Sequence, residues 1–140
     1  MKPKFIQLYS DIAARVAELS SARRLKVGAI IVRDDRIISI GYNGMPAGWD
    51  NNCETEQADG TLKTRPEVLH AEMNALMKLA RSHESGDGAD LFITHSPCME
   101  CAKGIYQSGI NRVYYGQQYR SDQGLNFLKQ CSIHITQTGE

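Results

Sequence analysis

The side chains best placed for chemistry are His70-Ala71-Glu72 and, 28 residues after the histidine, Pro97-Cys98-Met99-Glu100-Cys101. Cys98 and Cys101 stand at i and i+3 where a helix is expected to start, which puts both sulfurs on one face. Free N–H groups and the positive end of a helix dipole favour thiolates there, and the thiolate is the form that binds metal. Zinc takes Cys and His in tetrahedral sites. His70, Cys98 and Cys101 as ligands would leave a fourth position for water. The two thiolates would neutralise the ion, leaving Glu72 behind them as a proton carrier. Residues i and i+2 do not share a helix face, so His70 and Glu72 converge only if His70 precedes the settled part of its helix. Taken alone, the Cys-x-x-Cys pair also reads as a redox pair, or as half of a structural zinc site completed by Cys53, His83, His95, Cys131 or His134. A purely structural zinc has no use for a carboxylate at Glu72.

These side chains need elements to hold them. Phe5, Leu8, Ile12, Val16 and Leu19 recur at three- and four-residue steps and predict an amphipathic first helix. Two β-rich runs follow, Val27–Arg33 and Arg36–Tyr42, joined by Asp34-Asp35 as a hairpin. Asn43 to about Lys63 is polar and aperiodic, with Gly44, Pro46, Gly48, Gly60 and the only tryptophan, Trp49. A stretch of that length within a folded domain suggests function or local disorder. Thr64-Arg65-Pro66-Glu67 fits a capping box, with a helix running from it to Arg81 on Leu69, Met73, Leu76 and Leu79. Ser85-Gly86-Asp87-Gly88 breaks the chain before a strand at Leu91–Thr94. Ser96-Pro97 has the form of a helix cap and first turn, predicting a helix over Cys98–Ser108. A strand at Arg112–Tyr115, a helix at Leu125–Cys131 and a strand at Ser132–Thr136 complete the order α-β-β-α-β-α-β-α-β. The expected fold is α/β, one domain over residues 1–140, with a mixed five-stranded sheet flanked by helices and parallel strands wherever a helix crosses over.

Sixteen Lys+Arg balance sixteen Asp+Glu. A general polyanion binder would be basic, so nucleic acid and anionic membrane are not expected partners. Any phosphate must be met locally, and Arg23-Arg24-x-Lys26 is the densest basic cluster; its bland alternative is a solvated basic turn. The longest apolar run, near Val27–Val32, is far short of a membrane span. Met1-Lys2-Pro3-Lys4-Phe5-Ile6-Gln7 has no apolar export core, and the four cysteines are too few and too uneven for a disulfide scaffold. A reducing, cytoplasmic setting is expected.

His-x-Glu followed by Pro-Cys-x-x-Cys is the known signature of zinc deaminases, and the chain resembles the zinc-dependent cytidine/deoxycytidylate deaminase superfamily. The likeness runs through Val27–Val32, Ile38–Gly48, His70–Ala75, Ser96–Lys103 and Ser108–Ile110. Within the superfamily the segment Gly41-Tyr42-Asn43-Gly44-Met45-Pro46-Ala47-Gly48 looks like the deoxycytidylate (dCMP) branch. The resemblance implies a three-layer fold and hydrolytic deamination of dCMP to dUMP. In it His70, Cys98 and Cys101 hold one zinc, and Glu72 moves protons between water, the cytosine N3 and the departing ammonia. It further implies that Asn43 reads the sugar hydroxyl or base edge and that Ser96 holds the pyrimidine through its backbone. Arg24, with Lys26, would meet the 5′-phosphate, and Tyr119 and Arg120 would close over the nucleotide. Members of this branch form hexamers activated by dCTP and inhibited by dTTP, with magnesium on the triphosphate. Tyr42, Gly44, Trp49, Arg65 and Glu67 are the expected effector residues. Some members carry a second, structural zinc; here Ala22 stands where its first cysteine is expected, so one zinc is expected and Cys53 reads as a packed thiol. His83 and His134 read as surface residues, and His95 as structural. The alternatives are a deaminase of dCTP or deoxycytidine, a riboflavin-pathway or nucleic-acid deaminase, and a non-catalytic zinc-stabilised nucleotide-binding module.

Overall fold

The computed structural model describes residues 1–139. In chain order its elements are α1 (Pro3–Ala17), β1 (Gly28–Arg33), β2 (Arg36–Tyr42), β3 (Glu54–Glu56), β4 (Leu62–Thr64), α2 (Ala71–Ala80), β5 (Asp90–His95), α3 (Met99–Gln107), β6 (Arg112–Gln117), α4 (Gln123–Gln130) and β7 (His134–Gln137). Five strands form one sheet in the order β2-β1-β5-β6-β7. β1 lies antiparallel to both β2 and β5, whereas β5–β6 and β6–β7 are parallel. The parallel pairs are those joined by α3 and α4, as crossover geometry requires. Asp34 and Asp35 both take positive φ, 54° and 59°, the tight turn whose twist suits a two-residue hairpin.

Side-chain alternation along the buried strands sets the layers. Ile30, Val32 and Phe92 pack under α1 with Tyr9, Ala13 and Val16, while Ala29, Ile31, Leu91 and Ile93 pack against Ala75 and Leu79 of α2 and Ala102 and Ile105 of α3. Phe92 stacks on Tyr114 at 4.5 Å between ring centroids and meets Tyr9 at 5.3 Å. Burying such a ring contributes about 1.5–3 kcal/mol.

The structure corrects four expectations. Phe5, Ile12 and Val16 of the expected stripe face the core with Tyr9 and Ala13, whereas Leu8 is exposed and Leu19, also exposed, lies beyond the end of α1. The polar stretch after Asn43 is not structureless, because β3 and β4 pair within it, Glu54 opposite Thr64. Thr64 therefore ends a strand and caps no helix: cross-strand pairing overrides the local capping signal, and α2 begins at Ala71. Ser96 is not a cap either, since Cys98 is the N-cap of α3. The remaining element ends differ from expectation by one or two residues.

Candidate active site

Gly44 and Leu69 exchange backbone hydrogen bonds of 3.1 and 2.8 Å, an isolated antiparallel bridge that holds the chain extended up to the start of α2. His70 is consequently the N-cap of α2, with φ −75° and ψ 157°. Its imidazole is released from the helical step that would have turned it away from Glu72, which is the placement the i, i+2 spacing demanded. Close approach of β2 makes room for this start: a Cβ on Gly41 would lie 2.4 Å from the Ala71 carbonyl oxygen. Cys98 caps α3 in the same extended way (φ −72°, ψ 171°), and Cys101 follows in its first turn. Two helix N-termini thus converge.

His70 Nδ1 lies 3.3 Å from Cys101 Sγ and 3.6 Å from Cys98 Sγ, and the three donor atoms all fall within 4.8 Å of one another. Sulfur at about 2.3 Å and nitrogen at about 2.0 Å from a tetrahedral zinc stand about 3.6 Å apart, so this soft N/S donor set fits zinc. It is the only such His/Cys/Asp/Glu group among the described residues. Among the protein groups alone, hydrogen bonds from Cys101 and then His70 hold the Cys98 thiol down at about 3, as a thiolate. Cys101 is pushed up by its bond to Cys98 and by burial, and His70 is raised chiefly by its bond to Cys98. A divalent cation takes the place of these shared protons. Glu72 is 3% exposed, and burial raises its carboxyl from 4.5 to about 7.

A pocket of about 330 Å³ opens over this centre. Of the residues the resemblance placed at the nucleotide, Asn43, Ser96, Tyr119, Arg120 and Arg24 line this pocket, and Lys26 does not. Asn43 accepts the Val27 N–H (2.9 Å) at Oδ1 and donates from Nδ2 to the Leu25 carbonyl (2.8 Å), which leaves one amide hydrogen and one lone pair for a ligand. The Ser96 N–H is spent on the Gln117 carbonyl, and its Oγ accepts the Tyr119 N–H at 2.8 Å. Arg120, at φ 56°, lies 4.9 Å over the Tyr119 ring. None of Tyr42, Gly44, Trp49, Arg65 and Glu67 lines this pocket; Trp49 is 53% exposed, and Arg65 pairs with Asp50 and Glu67.

Three contributors escaped the sequence reading. His95 lines the pocket, edge-on to Tyr119 at 6.0 Å, with its imidazole pKa lowered by burial. Its place at the carboxyl end of a strand followed by a helix was the available signal. Glu54 is a buried wall carboxylate. Gly124 packs α4 onto the metal loop, where a Cβ would stand 2.1 Å from the Pro97 carbonyl oxygen and 2.9 Å from that of Cys98. Gly124→Ala is therefore expected to cost about 1–3 kcal/mol by overpacking and to weaken zinc binding about tenfold or more by displacing Cys98. Thermal melts and competition with a chromogenic chelator measure both. Cys53 is buried at 1% exposure, a packed thiol, with its pKa raised first by burial and then by the Glu54 charge. His83 and His134 are exposed.

Water activated at a metal, with one buried carboxylate to move its protons, is the chemistry of the zinc-dependent nucleobase deaminases. The chain belongs to the cytidine and deoxycytidylate deaminase family: residues 3–117 match the model of the cytidine and deoxycytidylate deaminase zinc-binding region. A dCMP deaminase from the cyanophage S-TIM5, solved in complex with dCMP and dUMP, superposes with a TM-score of 0.91 at 44% identity, covering 98% of each chain. The deoxycytidylate deaminase of Enterobacteria phage T4 is 34% identical over 146 residues, 78% of this chain and 76% of the relative. ComE operon protein 2 of Bacillus subtilis (strain 168) is 42% identical over 102 residues, 73% of this chain and 53% of the relative. The chain thus spans about half the length of that last relative. No helix among the described residues is long and apolar enough to cross a membrane.

Proposed function

We propose that this chain, as one catalytic domain, hydrolyses dCMP: water adds to C4 of the cytosine, ammonia leaves, and dUMP remains. The observation that carries the reading is a carboxylate buried beside the His70, Cys98 and Cys101 donors, in a pocket that also presents Arg24 and Arg120. Zinc, held by those three side chains, supplies a Lewis-acidic position at which water ionises near neutral pH. Glu72 would take one proton from the water and deliver it to N3 of the ring, then take the second from the new C4 hydroxyl and pass it to the amine, so that the C4 carbonyl forms as the C–N bond breaks and ammonia leaves. A carboxylate that can hold a proton and release it suits a group that must accept and donate within one turnover. Ala71, fully buried, only packs. Asn43 and Ser96 frame the nucleoside, Tyr119 with Arg120 covers it, and the exposed Arg24 side chain reaches for the 5′-phosphate.

Arg24→Ala is accordingly expected to raise KM for dCMP about 10- to 100-fold, the size of one or two lost charge-assisted hydrogen bonds, while changing deoxycytidine kinetics far less. Steady-state ammonia release on both substrates measures it, and equal effects would place the phosphate elsewhere. The proposal extends to activation by dCTP and inhibition by dTTP with magnesium on the triphosphate, to a hexameric assembly, and to supply of dUMP for thymidylate synthesis in the cytoplasm. The exposed Trp49 and Tyr42 beside Gly44, Arg65 and Glu67 support a surface for effectors or subunits. Ammonia release from dCMP, dCTP, CMP, deoxycytidine and an oligonucleotide, with and without dCTP or dTTP, tests the whole reading. Preference for dCTP or deoxycytidine would replace dCMP as substrate, and indifference to both triphosphates would remove the regulation.

A further inference from the structure

One rung of the β3–β4 hairpin pairs Glu54 with Thr64, and both residues grip Arg24. Glu54 Oε2 accepts the backbone N–H groups of Arg23 (2.9 Å) and Arg24 (3.0 Å). Thr64 Oγ1 accepts from Arg24 Nη1 at 2.9 Å. The Glu54 side chain is 1% exposed, and its second oxygen, Oε1, lies 3.5 Å from Arg23 Nε without hydrogen-bond geometry. Burying a carboxylate is costly unless its charge is used, and here it sits on two successive N–H groups of the kind that form an anion-binding nest. The turn preceding β1 is thereby locked by an internal anion.

The two arginines of that turn divide the work. Arg23 is spent on Glu54 and on Asn52 Oδ1 (3.2 Å). Arg24 has no acidic partner among the described residues; the Thr64 hydroxyl is the one hydrogen-bond acceptor its guanidinium meets among them. Its remaining guanidinium donors stay available at the pocket wall. A flexible arginine loses rotamer freedom when it captures an anion, and a scaffold that holds it beforehand removes part of that cost.

We infer that Glu54 and Thr64 are positioning residues that preset Arg24 for the substrate's 5′-phosphate and so set the preference for a nucleotide over a nucleoside. The inference rests on the reading of Arg24 as the phosphate contact. Glu54→Gln keeps the shape of the side chain and weakens its grip on the two N–H groups; Thr64→Val removes the hydroxyl from a site on the hairpin rim. In the zinc-loaded enzyme each is expected to lower kcat/KM for dCMP about tenfold through KM, the size of one lost charge-assisted hydrogen bond, and deoxycytidine kcat/KM by much less. Thr64→Ser should restore the dCMP value. Equal losses on the two substrates would reduce Glu54 and Thr64 to a structural role and overturn the inference. It would be overturned equally by unchanged KM in both variants. The Arg24→Ala control separates the two levels. If it collapses the dCMP preference while Glu54→Gln and Thr64→Val preserve it, the phosphate contact stands and the positioning role is wrong. If Arg24→Ala preserves the preference, the phosphate contact itself is wrong and the positioning role falls with it.

Discussion

Glu72→Gln is expected to lower kcat for ammonia release by at least about 10³-fold, because general acid–base catalysis contributes roughly 10²–10⁴ and in the proposed reaction this carboxylate serves more than one proton transfer. Glutamine keeps the length and shape of the side chain yet neither takes a proton from water nor gives one to N3 or to ammonia. It removes no metal ligand, so zinc content and dUMP affinity should stay close to those of the unsubstituted enzyme. Calorimetric titration and metal analysis check both alongside turnover. Near-normal activity would remove Glu72 from the reaction. A second readout follows from its burial. The folded carboxyl is raised from 4.5 to about 7, so the metal-free fold prefers it protonated. The ionisation penalty is absent below about pH 4.5, grows between there and about pH 7, and is full above that. Metal-free Glu72→Gln should therefore gain in Tm over the metal-free parent as pH rises from 4.5 to 7, and hold a constant margin beyond.

Removing the metal is expected to abolish turnover, and one equivalent of zinc per chain should restore it. Cys101→Ala should reproduce the loss without rescue. Its sulfur is one of three donors within 4.8 Å and is 3% exposed, so nothing from solvent replaces it at the same place. The ligands come from two helix N-termini brought together only by folding, and metal binding therefore counts as folding free energy. Saturation at a thousand times Kd adds about 4 kcal/mol, seen as a fall in Tm on chelation that zinc reverses. A stoichiometry of two would mean that Cys53 gathers a second ion. Ala22, buried nearby on the same pocket wall, offers it no donor atom.

The chemistry was legible in the sequence because its spacing is local. Cys98 and Cys101 stand three apart at a helix start, which brings their sulfurs together, and the i, i+2 step from His70 to Glu72 required His70 to lie where its helix has not yet settled. Val27–Arg33 and Arg36–Tyr42 announced a hairpin through their β-branched residues and two-residue connection, and the helices between later strands announced parallel pairing. Composition alone argued that phosphate recognition rests on a few local cations.

Tertiary structure decided which residues work together across long stretches of chain. Leu69 is held extended by Gly44, and that bridge, not the Thr64–Glu67 signal, sets where α2 begins. Arg24 is tied through its N–H to Glu54 and through its guanidinium to Thr64, partners 30 and 40 residues away. Gly124 matters because α4 lies on Pro97 and Cys98. Periodicity and capping report only what a residue does with neighbours three or four positions off. A hydrogen bond between distant segments depends on the path of the whole backbone, and it forms only once the sheet has brought their ends to one mouth.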